Sequence, residues 1–132
     1  MLDALIAIVI FSIGIVGMVS LQSAAVNMAS NAKYRSDAAM MAEQVIGQMW
    51  ASDNNPLDGN LATNFKSPAG ASYKTWASTV TTITASGGLP GAAAKPPTIT
   101  VDANNYVTVT IFWQAPSDSS AHQYVTTTQI QP

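Results

Sequence analysis

MLDALIAIVIFSIGIVGMVSLQ, residues 1–22, is the stretch on which the reading of this chain turns. From Ala4 to Leu21 only Ser12 and Ser20 are polar, and no charge occurs between Asp3 and Lys33. An α-helix rises about 1.5 Å per residue, so roughly 20 apolar residues cross a hydrocarbon core about 30 Å thick. The stretch is long enough to lie in a membrane. Asp3 is its oddity, a lone carboxylate at the mouth of an apolar helix. A carboxylate near the bilayer centre costs about 2.5–3.5 kcal/mol on insertion scales, and less toward the interface. Such a group is expected to serve a function and to seek a cation.

No basic residue precedes the apolar run, whereas Lys33 and Arg35 follow it. Taken alone, that asymmetry would leave the remainder in the cytoplasm. The remainder reads as a secreted domain, so a short basic leader is expected to have been removed. The rival reading is a cleavable secretory signal, with an apolar core of about 7–15 residues followed by an A-x-A-like site. Ser23-Ala24-Ala25 matches such a site poorly, and the helical pattern runs on past it without a break. The segment is therefore expected to stay in the mature protein.

Of the 132 residues, about 50 belong to this helix, which leaves roughly 80 for one small domain. Charged residues make up 9%, against roughly 25% in an ordinary soluble domain. A net charge of −2 offers no basic stripe for a nucleic-acid backbone, so no nucleic-acid partner is expected. The chain has no cysteine, hence no disulfide frame and no thiol chemistry. Packing of sheet on helix has to stabilise the small domain unaided.

From Gln22 to Trp50 the helix continues but changes character. Alanines and methionines favour it, and from Ala38 the apolar residues fall at helical spacing: Ala38, Met41, Ala42, Val45 and Met49, with Ile46 and Trp50 widening the stripe. Residues 1–28 thus read as an all-round apolar half and 29–52 as an amphipathic half made to dock on a head, 53–132. Straight, such a helix reaches about 75 Å. Gly14 and Gly17 each cost roughly 1 kcal/mol relative to alanine there. Two explanations stand side by side: close helix–helix contact in lipid, although their spacing is not small-xxx-small, or a place where the helix bends or unwinds.

Residues 53–72 read as an exposed loop, because Asn54-Asn55-Pro56 and Asp58-Gly59 are turn signals. Trp76, Val80 and Ile83 fit one face of a short helix at about 73–86, the favoured reading, although the threonine-rich composition also suits a strand. Three antiparallel strands follow, at about 98–103, 106–114 and 122–130. Ile99 and Val101, then Val107, Val109, Ile111 and Trp113, alternate onto one face, and threonines onto the other. Ala103-Asn104-Asn105 makes the hairpin turn. Val45, Met49, Trp50, Trp76, Val109, Ile111 and Trp113 are expected in the head's core, and Met40 with Met41 as filler. The fold class is α+β, a lollipop with a long amino-terminal helix packed on a small antiparallel sheet.

The opening Leu2-Asp3-Ala4-Leu5-Ile6-Ala7, followed by Phe11-Ser12-Ile13-Gly14-Ile15-Val16-Gly17-Met18, resembles the type IV pilin superfamily. Within it the chain is similar to the minor pilins of the type IV pilus modification family. Arg35 to Ala38, Ala42 to Ser52, Trp76, Leu89-Pro90-Gly91 and the strand ending in Trp113 carry that likeness over most of the chain. Two features depart from the family. Its short leader, cut after a glycine, and an aromatic first residue are missing, so Met1 stands as the third residue of a natural mature chain or as an artificial start. A closing disulfide is also impossible here.

The resemblance implies a structural subunit of a type IV pilus, acting in an initiation or tip complex. Its alternatives are a pseudopilin of a type II secretion system, the bulk filament subunit, or an anchored binding domain that never polymerises. It implies anchoring in the bacterial inner membrane before assembly and a cell-surface filament afterwards. Other pilin subunits, the lipid bilayer, the inner-membrane assembly machinery and a prepilin peptidase are the implied partners. The implied contact residues are Asp3, Leu2, Leu5, Ile6, Ile8, Val9, Phe11, Ile13, Ile15 and Val16, with Asp3 meeting the amino-terminal ammonium of a neighbour or its own. Gly14 and Gly17 would supply helix flexibility. No enzyme activity, cofactor or metal is expected. His122 is the single histidine, the carboxylates are scattered, and Gly87-Gly88 to Gly91 lacks the lysine of a phosphate loop.

Overall fold

A computed structural model describes all 132 residues. Helix α1 runs Leu2–Ala51, ending where Ser52 Oγ donates to the Met49 carbonyl at 2.8 Å. Contacts divide the chain into two units, Met1–Lys33 and Tyr34–Pro132. In the first unit helix is the sole regular structure. The second is α+β: the carboxyl half of α1, helices α2 (Asn60–Phe65) and α3 (Ala71–Thr81), and strands β1 (Thr98–Val101), β2 (Tyr106–Trp113) and β3 (His122–Gln129).

The sheet order is β1-β2-β3, antiparallel throughout. Alternation along β2 buries Val107, Val109, Ile111 and Trp113 and turns Thr108, Thr110 and Phe112 outward. The hairpin turn is held by Asp102, whose Oδ1 accepts from the N–H groups of Asn104 (2.8 Å) and Tyr106 (2.9 Å). Asn105 takes the left-handed conformation at φ 57°, which asparagine tolerates. Its buried amide donates to the Asn54 carbonyl at 2.7 Å and ties this turn to the segment after α1.

One cluster makes the core. Ala38, Met41, Ala42, Val45, Ile46 and Met49 of α1 meet Leu61 and Phe65 of α2, Tyr73, Trp76 and Val80 of α3, and the inner face of the sheet. Trp76 Nε1 donates to the Met41 carbonyl at 3.0 Å, so the indole both fills volume and fastens α3 to α1. The Tyr73 hydroxyl donates to the Pro97 carbonyl at 2.6 Å, and burial raises its pKa.

Four expectations need correction. Residues 53–72 are not all loop, because α2 lies within them. Leu61 and Phe65, four apart, are buried together, and Asn60 Nδ2 to Asp53 Oδ2 (2.8 Å) and Asn55 Nδ2 to Asp58 Oδ2 (2.9 Å) brace the turn before it. The next helix ends at Thr81, short of residue 86, since the Val80 carbonyl is taken by the N–H of Leu89 as the chain reverses through Gly88 at φ 96°. Ile83 therefore lies beyond the helix and is exposed. Trp50 is 49% exposed, outside the core; at 3.6 residues per turn it sits roughly 120° round the helix from the stripe centred on Ala38, Val45 and Met49. Met40 is exposed for the same reason, while Met41 and Met49 are buried.

Candidate functional site

The candidate site is the amino-terminal half of α1, where every residue from Met1 to Ala29 is exposed. Leu2, Leu5, Ile6, Ile8, Val9, Phe11, Ile13, Ile15 and Val16 are all 46–75% exposed, values that exceed what one solvent-facing stripe would require. An amphipathic helix would alternate between covered and open faces; this one is open and apolar all round. It is long and apolar enough to cross a membrane, and none of its most apolar window is buried within the chain.

The backbone suits such a surface. In hydrocarbon every main-chain polar group has to be satisfied within the segment, and a helix does this. Ser12, in mid-segment, returns its hydroxyl to the Ile8 carbonyl at 2.7 Å, which removes its demand for an outside partner. The helix opens with the Leu5 N–H donating to the Met1 carbonyl at 3.3 Å. Asp3 lies in this first turn, where a carboxylate interacts favourably with the positive end of the helix dipole. Within the chain it has no ion-pair partner; the acid–base contact present joins Asp118 and His122. Gly14 and Gly17 are helical, and a Cβ at either would meet nothing within 4 Å.

The head residues named from sequence divide. Val45, Met49, Trp76, Val109, Ile111 and Trp113 are buried. Trp50 is not. His122 opens β3 on the surface, with Nε2 3.1 Å from Asp118 Oδ2 and its ring stacked on Trp113 at 5.8 Å between centroids. The Trp113 indole N–H is buried without an acceptor, a cost of about 1–3 kcal/mol. No three His, Asp or Glu side chains gather as metal ligands. A cavity of about 470 Å³ opens between α1 and α3, lined by Met41, Gln44, Ser78, Thr79 and Thr82 among others, with no charged group in its wall.

Ser67 is a residue that sequence reasoning passed over. Its N–H donates to the Ile99 carbonyl at 3.0 Å, and its hydroxyl oxygen accepts from the Ile99 N–H at 3.2 Å. Both outward groups of Ile99, at the open edge of β1, are thereby closed off. No spacing or composition signal marks a loop serine for that task.

Comparisons with protein-family models, with curated proteins and with solved structures return no match to this chain.

Proposed function

We propose that the chain is a structural, minor-pilin-like subunit of a type IV pilus, held in the inner membrane by residues 1–28 before assembly. The observation that carries this reading is the open, largely apolar surface from Leu2 to Val26, whose single charge is an unpaired Asp3. Exposed to water, that surface is costly, at roughly 25 cal/mol per Å². Lipid relieves the cost before assembly, and the helices of neighbouring subunits relieve it afterwards. In the second setting Asp3 is desolvated and takes a cation, the amino-terminal ammonium of a neighbouring subunit. Breaking a buried pair costs about 3–5 kcal/mol, whereas forming it adds little over an apolar contact, so the pair fixes register more than it adds stability.

The test is incorporation. Asp3→Ala is expected to leave the head folded, by circular dichroism and tryptophan fluorescence, and to lower the amount of this chain in sheared filaments by at least about tenfold, the equivalent of roughly 1.4 kcal/mol. A variant that enters filaments at the wild-type level removes the pairing role. Absence of the wild-type chain from filaments, with retention in membranes, would leave an anchored domain that does not polymerise. A full-length chain that is a freely soluble monomer ends the proposal.

A further inference from the structure

The two edges of the sheet are finished differently. Ser67 occupies the outward groups of Ile99 on β1. On β3 nothing does the same. The Ile130 N–H donates to Asn105 O at 3.0 Å, and Asn105 immediately precedes β2. Given the alternation of antiparallel ladders, Thr128, Thr126, Tyr124 and His122 therefore turn their main-chain groups toward β2, and Gln123, Val125, Thr127 and Gln129 turn theirs away. None of those four outward-facing residues has a main-chain hydrogen bond from the rest of the chain.

Natural edges are usually blunted by lysine, proline, a bulge or a covering loop. The β3 edge has none of these. Its register with β2 runs unbroken from His122 to Gln129, and the segment His122–Gln131 carries no lysine, arginine, aspartate, glutamate or proline. Thr126, Thr127, Thr128 and Val125 are β-branched, a type suited to a further paired strand.

We propose that this edge pairs, antiparallel, with the β3 edge of a second copy of the chain, Thr126 facing Thr126 across a two-fold axis. Among the two-fold registers, that one pairs every outward residue of the strand. It sets Gln123 opposite Gln129 of the other copy and Val125 opposite Thr127, so all four outward residues of each copy are paired. His122 falls opposite Ile130, and no like charges meet. Thr126 facing Thr126 is a favourable cross-strand pair. One added strand buries less than the roughly 1,200 Å² of a stable interface, so the contact is weak and reversible. A two-fold axis perpendicular to the sheet reverses every in-plane direction. The pairing is open to copies free in detergent. It rests on the edge alone and stands whether or not the chain is a pilus subunit.

The absence of cysteine makes the test direct. In this register Thr126 is a non-hydrogen-bonded pair with Cα atoms about 4.5 Å apart, within disulfide range. The full chain in non-ionic detergent, oxidised with copper phenanthroline, is compared as Thr126→Cys and as Thr127→Cys. The first is expected to give a disulfide dimer at least about tenfold faster than the second, which places its sulfurs on the opposite sheet face and out of register. Equal rates, or no dimer from either, overturn the proposal. Association through α1 would not distinguish the two positions. Adding Val125→Pro to Thr126→Cys removes an outward N–H without taking a bond from β2, and is expected to bring cross-linking down to the Thr127→Cys rate. Unchanged cross-linking in that folded double variant also overturns it. Should the proline variant not fold, the comparison of the two cysteine positions decides.

Discussion

Residues 4–29 and 34–51 belong to one helix of unbroken hydrogen bonding, yet they have opposite fates. In the first stretch apolar side chains are open to the surroundings on every side; in the second, Ala38, Met41, Ala42, Val45, Ile46 and Met49 are at most 8% exposed. Both conform to the same backbone geometry, so helix formation does not separate them. The difference lies in pattern. A stripe with polar residues between its members can be covered by one small domain, whereas a cylinder that is apolar all round needs an apolar surround. Stability of the head should therefore respond to the second stretch and hardly at all to the first.

The strongest challenge to that contrast is Trp76→Ala. It removes a buried indole and its bond to the Met41 carbonyl, and is expected to cost about 3–5 kcal/mol, a large part of the roughly 5–15 kcal/mol that holds a typical domain together. Urea unfolding followed by far-UV circular dichroism would measure it. Phe11→Ala, in the apolar half, should move that midpoint by less than about 0.5 kcal/mol. It should instead weaken retention in lipid vesicles, by up to the roughly 1.5–3 kcal/mol that burying a phenylalanine supplies. If Phe11→Ala destabilised the head, the two stretches would not be independent.

Smaller effects sharpen the boundary. Trp50→Ala should cost only about 1 kcal/mol, since its ring is half exposed; a loss equal to that of Trp76→Ala would put Trp50 back in the core. The alkaline limb of head stability should come from Tyr73. Burial raises its hydroxyl above the ordinary pKa of 10.0, so the folded state keeps its proton where the unfolded state loses it. The contribution is then fully present below about pH 10 and is lost as pH rises through the folded value. Tyr73→Phe should flatten that limb while costing about 0.5–1.5 kcal/mol at neutral pH for the lost bond to Pro97. The smallest change is Gly14→Ala. With nothing near its Cβ, it should raise helix stability of the isolated chain by up to about 1 kcal/mol. A fall in filament incorporation from the same substitution would assign Gly14 a role in assembly, by bending or by close contact.

Much of this architecture is legible in the sequence because it is periodic. The apolar run, the stripe from Ala38 to Met49 and the alternation of β2 each repeat at the spacing of their element, and each takes the conformation that spacing specifies. The misses lie where periodicity is short. Leu61 and Phe65 make a single helical repeat, too little to stand out against the turn signals of Asn54-Asn55-Pro56 and Asp58-Gly59. Trp50 lies round the helix from the stripe it is expected to widen, and Ile83 continues a spacing past the end of its helix.

The sequence by itself determined the long helix, the division of its surface into an all-round apolar half and a striped half, the hairpin and the inward face of the sheet. Those follow from side-chain period and turn chemistry, which act within a few residues. Only the tertiary structure decided that Ser67 caps Ile99 at one edge of the sheet while the edge of β3 stays open, that Trp76 bonds to the backbone of α1, and that Trp50 is left outside. Each of those depends on which distant segments meet, and main-chain hydrogen bonding between segments leaves no imprint on the spacing of residues along the chain.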